Sequence, residues 1–138
     1  MVSDGGEWEL IELAVDSGAT ESVCPTDALT SIPTREGPAS QRGVLYEVAD
    51  GTQIPNEGGK KFVALTEDGV EKKLVLQVCA VNQGLISASK LAAAGNRVLL
   101  GENESYVENK TSGHRTWLIH RNGMYIMQLW VRRPKSPF

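Results

Sequence analysis

Leu13-Ala-Val-Asp-Ser-Gly-Ala-Thr20 joins an alternating apolar strand to a tight polar turn, and the chain is best read outward from it. Upstream, Ile11, Leu13 and Val15 share one face of a period-two pattern, which predicts a strand over 9–15 with one buried side. The strand stops at Asp16-Ser17-Gly18, three residues that favour turns. A carboxylate at that point sits at the rim of a core. Gly18 has no Cβ, so the backbone can turn sharply there and a ligand can come close. The Ser17 hydroxyl can bond across an interface or to the carboxylate. Two aspartates about 3 Å apart cannot both ionise, so they share a proton. One then acts as base on a water while the other serves as acid toward a carbonyl. Taken alone, Asp-Ser-Gly is also the pattern of a solvated turn or a helix cap.

Size limits what this aspartate can do by itself. The chain has 138 residues, the length of one domain, and 41% hydrophobic with 22% charged residues is ordinary globular composition. A disordered chain, a collagen-like repeat and a two-lobed enzyme complete in one chain are excluded. Asp-Ser-Gly occurs once and Asp-Thr-Gly nowhere, so each copy offers half of a carboxylate pair. A site needing both halves would take the second from another copy, at a two-fold interface.

The net charge of -3 calls for no nucleic-acid partner. Charge is uneven, with 13 acidic and 4 basic residues over 1–70 against 4 acidic and 10 basic over 71–138. Either the halves interleave and neutralise each other, or a basic C-terminal face meets an acidic partner. Cys24 and Cys79 leave a disulfide open, but two buried free thiols in a reducing compartment are the expectation. Neither has a CxxC neighbour, and His114 and His120 have no nearby Cys, so no metal and no cofactor is expected. The first residues lack the basic and apolar regions of a signal peptide, and no apolar run could span a bilayer. The expected location is cytoplasmic, with no membrane partner.

Downstream, residues 30–43 carry two prolines and two glycines and read as a surface loop. Residues 44–49 alternate again before Asp50-Gly51, a hairpin signal, and Asp68-Gly69 marks a second hairpin between strands at 61–66 and 72–81. The run from Leu74 to Val81 is apolar on both faces and reads as a central strand covered on both sides. One short helix is expected near 87–94, capped by Ser87 or Ser89 and stopped by Gly95. Further strands are expected at 97–100, 105–108, 116–120 and 124–131, the last two joined by the type I′ pair Asn122-Gly123. The tail from 132 reads as frayed.

In this order and spacing the motifs resemble a retropepsin, specifically the protease region of copia-type retrotransposon polyproteins. The residues that carry the resemblance are Val15-Asp-Ser-Gly-Ala-Thr20, Val48-Ala-Asp-Gly-Thr-Gln-Ile54, Leu85-Ile-Ser-Ala-Ser-Lys-Leu91, Ala94-Gly-Asn-Arg-Val-Leu-Leu100 and Arg121-Asn-Gly-Met-Tyr-Ile-Met-Gln-Leu129. The resemblance implies a mainly β, retropepsin-like closed barrel with one short helix and a C-terminal β extension. It divides the chain into a protease domain over 1–100, with a flap near 44–66, and an extension over 101–138.

The same resemblance implies that Asp16 is catalytic, that Ser17 braces the pair across the dimer and that Gly18 presents backbone to the substrate. Ala19 and Thr20 would floor a cleft, and Ala49, Asp50, Gly51 and Thr52 would form the flap that closes over an extended peptide or polyprotein substrate. Leu85 and Ile86 would lie below the site, one toward the substrate and one toward the core. Ser87 stands where many retropepsins have Gly, as the copia-type pattern has it, and the flap tip is poorer in glycine. The extension exceeds a compact retropepsin. It would pack outside, enter the dimer interface in place of the terminal sheet, or belong to the next polyprotein segment, with Trp117, Tyr125 and Trp130 supplying buried area. The implied activity is homodimeric aspartic endopeptidase; a catalytically silent peptide-binding or self-association module is the alternative.

Overall fold

The structure, a computed structural model, describes residues 7–48 and 50–133. Among these residues it is mainly β, with twelve strands and two short helices. In chain order these are β1 Trp8–Asp16, β2 Val23–Pro25, α1 Pro38–Gln41, β3 Leu45–Glu47, β4 Gln53–Pro55, β5 Gly58–Leu65 and β6 Glu71–Cys79. There follow β7 Leu85–Ser87, α2 Ala88–Ala93, β8 Asn96–Leu100, β9 Ser105–Asn109, β10 Arg115–Trp117, β11 Ile119–Arg121 and β12 Met124–Arg132. No helix among the described residues is long and apolar enough to cross a membrane.

The main sheet has the order β1-β7-β2-β6-β5-β12-β11, and β1 also pairs with β12. That last pairing is antiparallel and long, running from Trp8↔Arg132 to Ala14↔Ile126. The alternation read in the first strand takes effect here: Ile11, Leu13 and Val15 are buried while Leu10 is 43% exposed. Across the sheet, Met127, Leu129 and Val131 of β12 join Leu76 and Val78 of β6 in the same core. Residues beyond 100 thus help to build this core rather than lying apart from it. A second, three-stranded sheet has the order β10-β9-β8, and β3 with β4 forms a separate hairpin.

Turn chemistry holds where it was read. Gly51 and Gly69 take φ of +87° and +85°, and Asn122 and Gly123 take +53° and +76°, the left-handed pair that a type I′ turn requires. Ser87 caps α2, accepting the Lys90 N–H at 3.2 Å.

Several expectations need correction. There are two short helices and not one, because Pro38 pre-sets the first turn of α1 and the Ser40 side chain bonds the Gly37 N–H at 3.0 Å. The strand expected at 72–81 is central in order but covered on both sides only near its end, since Val75 is 54% exposed. Its apolar run could not show that one face looks outward. The strand expected at 116–120 breaks at Leu118, where the chain passes from the three-stranded sheet to the main one and Leu118 N–H bonds Ser105 O at 3.0 Å. Trp117 is 58% exposed and supplies little buried area, unlike Trp130 at 8%. Arg132 is ordered in β12 opposite Trp8, and the rest of the tail from 134 lies outside the described residues.

Cys24 lies opposite Val78 and Pro25 opposite Cys79 on the parallel strands β2 and β6. Consecutive residues point to opposite faces, so the two thiols face away from each other, and both are free. Charge interleaves between the halves of the chain, with Arg121 bonded to Glu12 at 2.9 Å and Lys90 to Glu21 at 3.2 Å.

Candidate active site

Asp16 is the last residue of β1, half-buried where the strand leaves the core. Its Oδ1 accepts the Gly18 N–H at 2.8 Å, and Ala19 N–H reaches back to the Asp16 carbonyl at 3.4 Å. The turn therefore fastens its own carboxylate. Beside it β7 runs parallel to β1, with Val15 opposite Ile86 and Asp16 opposite Ser87. Ser87 is wholly buried; its N–H donates to Ser22 Oγ at 3.0 Å and its hydroxyl to Ala19 O at 2.7 Å. The 16–22 turn is thus tied to the start of α2 through one serine.

A cleft of about 540 Å³ opens over this turn. Its floor is Asp16, Gly18, Ala19, Thr20 and Leu85, and its roof is Tyr46, Val48 and Ile54 from the β3–β4 hairpin. Leu85 faces the cleft while its neighbour Ile86 enters the core. The hairpin is anchored by Asn56, which is 6% exposed. Asn56 Nδ2 donates to Tyr46 Oη and to Gln77 Oε1, each at 2.8 Å, and its Oδ1 accepts the Gly58 N–H at 2.7 Å. Burial pushes the Tyr46 phenol up, against the Asn56 hydrogen bond.

Ser17 is exposed at the turn and does not line the cleft. Asp50, Gly51 and Thr52 form the exposed hairpin tip, beyond the cleft wall. There Asp50 Oδ1 accepts the Thr52 N–H at 2.9 Å, and hydrogen bonds from Thr52 hold the Asp50 carboxyl below its ordinary range. Ala49 lies outside the described residues.

Glu21 and Val81 are wall residues that the sequence did not single out, whereas Tyr46, Val48 and Ile54 fall within the expected flap without a role of their own there. The alternation through 44–48 already put Tyr46 and Val48 on one face, but only the fold shows that this face looks down on Asp16. Cys79 is also in the wall, its thiol pushed up by burial first and by Glu57 second. Cys24, on the core side, is pushed up by burial to about 11. Neither thiol is primed as a nucleophile. Among the described residues no three His, Cys, Asp or Glu side chains are grouped to hold a metal ion.

The carboxylates of Asp16, Glu21 and Glu47 line the cleft with no cation among them, although Lys90 pairs with Glu21 from outside. Among the described residues Asp16 is the one aspartate in these walls. A single fastened carboxylate on a cleft floor can accept a proton from water. In comparisons with known proteins, no protein-family model, curated protein or solved structure matches the chain.

Proposed function

We propose that the chain is an aspartic endopeptidase of retropepsin type, active as a homodimer and acting on the peptide bonds of a retrotransposon-type polyprotein. The observation that carries this is the placing of Asp16: at the end of a core strand, hydrogen-bonded by Gly18, on the floor of a cleft roofed by a hairpin. The barrel expected for such a protease has support in the pairings. From β1 they run through β7, β2, β6, β5 and β12, and β12 pairs again with β1.

Asp16 from two copies, brought to about 3 Å, would hold one proton between them. The ionised carboxylate takes a proton from water as its oxygen attacks the scissile carbonyl carbon, and the protonated one donates to the carbonyl oxygen. Collapse of the tetrahedral species breaks the C–N bond as a carboxyl proton passes to the leaving amine. The apolar roof of Tyr46, Val48 and Ile54 suits a peptide held extended, with backbone pairing for affinity and alternate side chains for selection.

The test is cleavage of a mixed peptide library at about pH 5. Asp16→Asn is expected to lower the rate by about 10²–10⁴-fold, the worth of a positioned acid–base group. Cleavage undiminished in that variant overturns the mechanism, and no cleavage by the native chain leaves a peptide-binding module.

A further inference from the structure

We infer that the groove between residues 32–42 and the β5–β6 hairpin is a second peptide site, taking an acidic segment of the substrate whose scissile bond lies over Asp16. This rests on the proposed protease function, because the occupant is a continuation of the peptide in the cleft.

The groove has a volume of about 620 Å³ and adjoins the cleft at Glu21, which lines both. Its wall is built, not draped. Arg35 pairs antiparallel with Gly59, each N–H bonding the other's carbonyl at 2.9 Å. Gly58 permits that approach, since it has φ of +128° and a Cβ there would lie 2.6 Å from the Arg35 carbonyl oxygen. Beyond Arg35, α1 stiffens the same wall. The floor is half-apolar, with Ile32, Pro33 and the exposed side chain of Val75.

Charge selects the occupant. Arg35, Arg42 and Lys61 line the groove exposed, and among the described residues no hydrogen bond or ion pair engages their side chains. Of the two carboxylates in the lining, Glu21 is already paired with Lys90, which leaves Glu36 against these three and Lys60, whose ammonium is engaged by the Ala28 and Leu29 carbonyls. An extended peptide alternating carboxylate and apolar side chains meets both the cations and the Ile32–Val75 floor. The lining contains no aromatic ring on which a base could stack, so a peptide is favoured over single-stranded nucleic acid.

The test uses the full chain with Asp16→Asn, which prevents turnover, and three fluorescein-labelled probes read by polarisation. They are a peptide alternating Glu and Val, its Lys and Val counterpart, and an oligothymidine strand. The Glu peptide is expected to bind, to weaken with added salt, and to lose roughly tenfold in affinity in R35E/R42E/K61E. The triple Gln variant, at the same exposed positions, should lose part of that; its melting curve and that of the Glu variant report folding. Equal affinity for the Glu and Lys peptides, no change in the reversed variant, or tighter binding of oligothymidine each overturns the site. On the native chain, the gain in kcat/KM from an acidic extension should collapse toward one in the reversed variant. Cleavage with no gain from the extension overturns the groove and keeps the protease; Glu-peptide binding without any cleavage keeps the groove as an acidic-peptide site and overturns the protease.

Discussion

Asp16 and Ser87 stand opposite each other at the ends of two parallel strands, and the Ser87 hydroxyl holds the turn that follows Asp16 by its bond to Ala19 O. The same hydroxyl caps α2. One buried side chain therefore sets both the loop that carries the carboxylate and the helix beneath it.

Ser87→Ala removes the donor to Ala19 O and the acceptor of the Lys90 N–H. A loss of about 1–2 kcal/mol in unfolding free energy is expected from a part-buried carbonyl that loses its donor and from a lost cap. Because the turn loosens, kcat for peptide cleavage should fall more than KM rises. Urea denaturation and steady-state kinetics read the two effects; an unchanged kcat would show that Ser87 serves packing alone.

Asn56 ties the hairpin to the sheet, so Tyr46→Phe and Asn56→Ala should separate roof from frame. Tyr46→Phe removes one acceptor and leaves Asn56 its bonds to Gln77 and Gly58, so stability should change by less than about 1 kcal/mol. Asn56→Ala strips three hydrogen bonds from a buried site and should cost about 2–4 kcal/mol. Hydrogen exchange over 45–55 should accelerate in Asn56→Ala first. Equal protection in native and variant chains would mean that the hairpin is held by other contacts.

Cys24 and Cys79 should remain thiols under air, since consecutive register positions send them to opposite faces. With burial pushing Cys24 up to about 11 and Cys79 upward as well, both should alkylate slowly at neutral pH and fast in urea. Mass spectrometry counts the labels. Rapid labelling of the folded chain, or a mass two hydrogens short, would contradict the placement.

Glu12 carries a stability term with a definite sign. Hydrogen bonds from Arg121, at 2.9 and 3.0 Å, and then from Gln128, at 2.8 Å, hold its carboxyl below the ordinary range. The unfolded chain binds that proton more readily, so the contribution is complete above the unfolded value and is lost as pH falls through the folded one. Glu12→Gln should flatten the acid limb of the urea midpoint between about pH 6 and 3. A parallel limb in both chains would show that the exposed pair contributes nothing, as surface pairs often do.

The local elements were legible wherever one residue type had one physical use. Alternation placed Ile11, Leu13 and Val15 inward, and Asn122-Gly123 and Asp68-Gly69 marked their turns. What was hidden depended on distant partners. Nothing near Trp8 announces Arg132 as its neighbour across the sheet, and nothing in 74–81 says that Val75 faces solvent. The carboxylate and its turn could be seen from spacing, whereas Tyr46, Val48 and Ile54 became cleft walls only when their hairpin folded over Asp16. The 30–43 segment hid most, because its prolines and glycines conceal both α1 and the Arg35–Gly59 pairing.

The central claim is that two Asp16 carboxylates from two copies make one site. Native chain mixed with an equal amount of Asp16→Asn chain, allowed to exchange at fixed total concentration, tests it most directly. A shared site gives about a quarter of the undiluted activity, because only pairs with both aspartates cleave. Activity falling in simple proportion to the native chain, to about half, would contradict it.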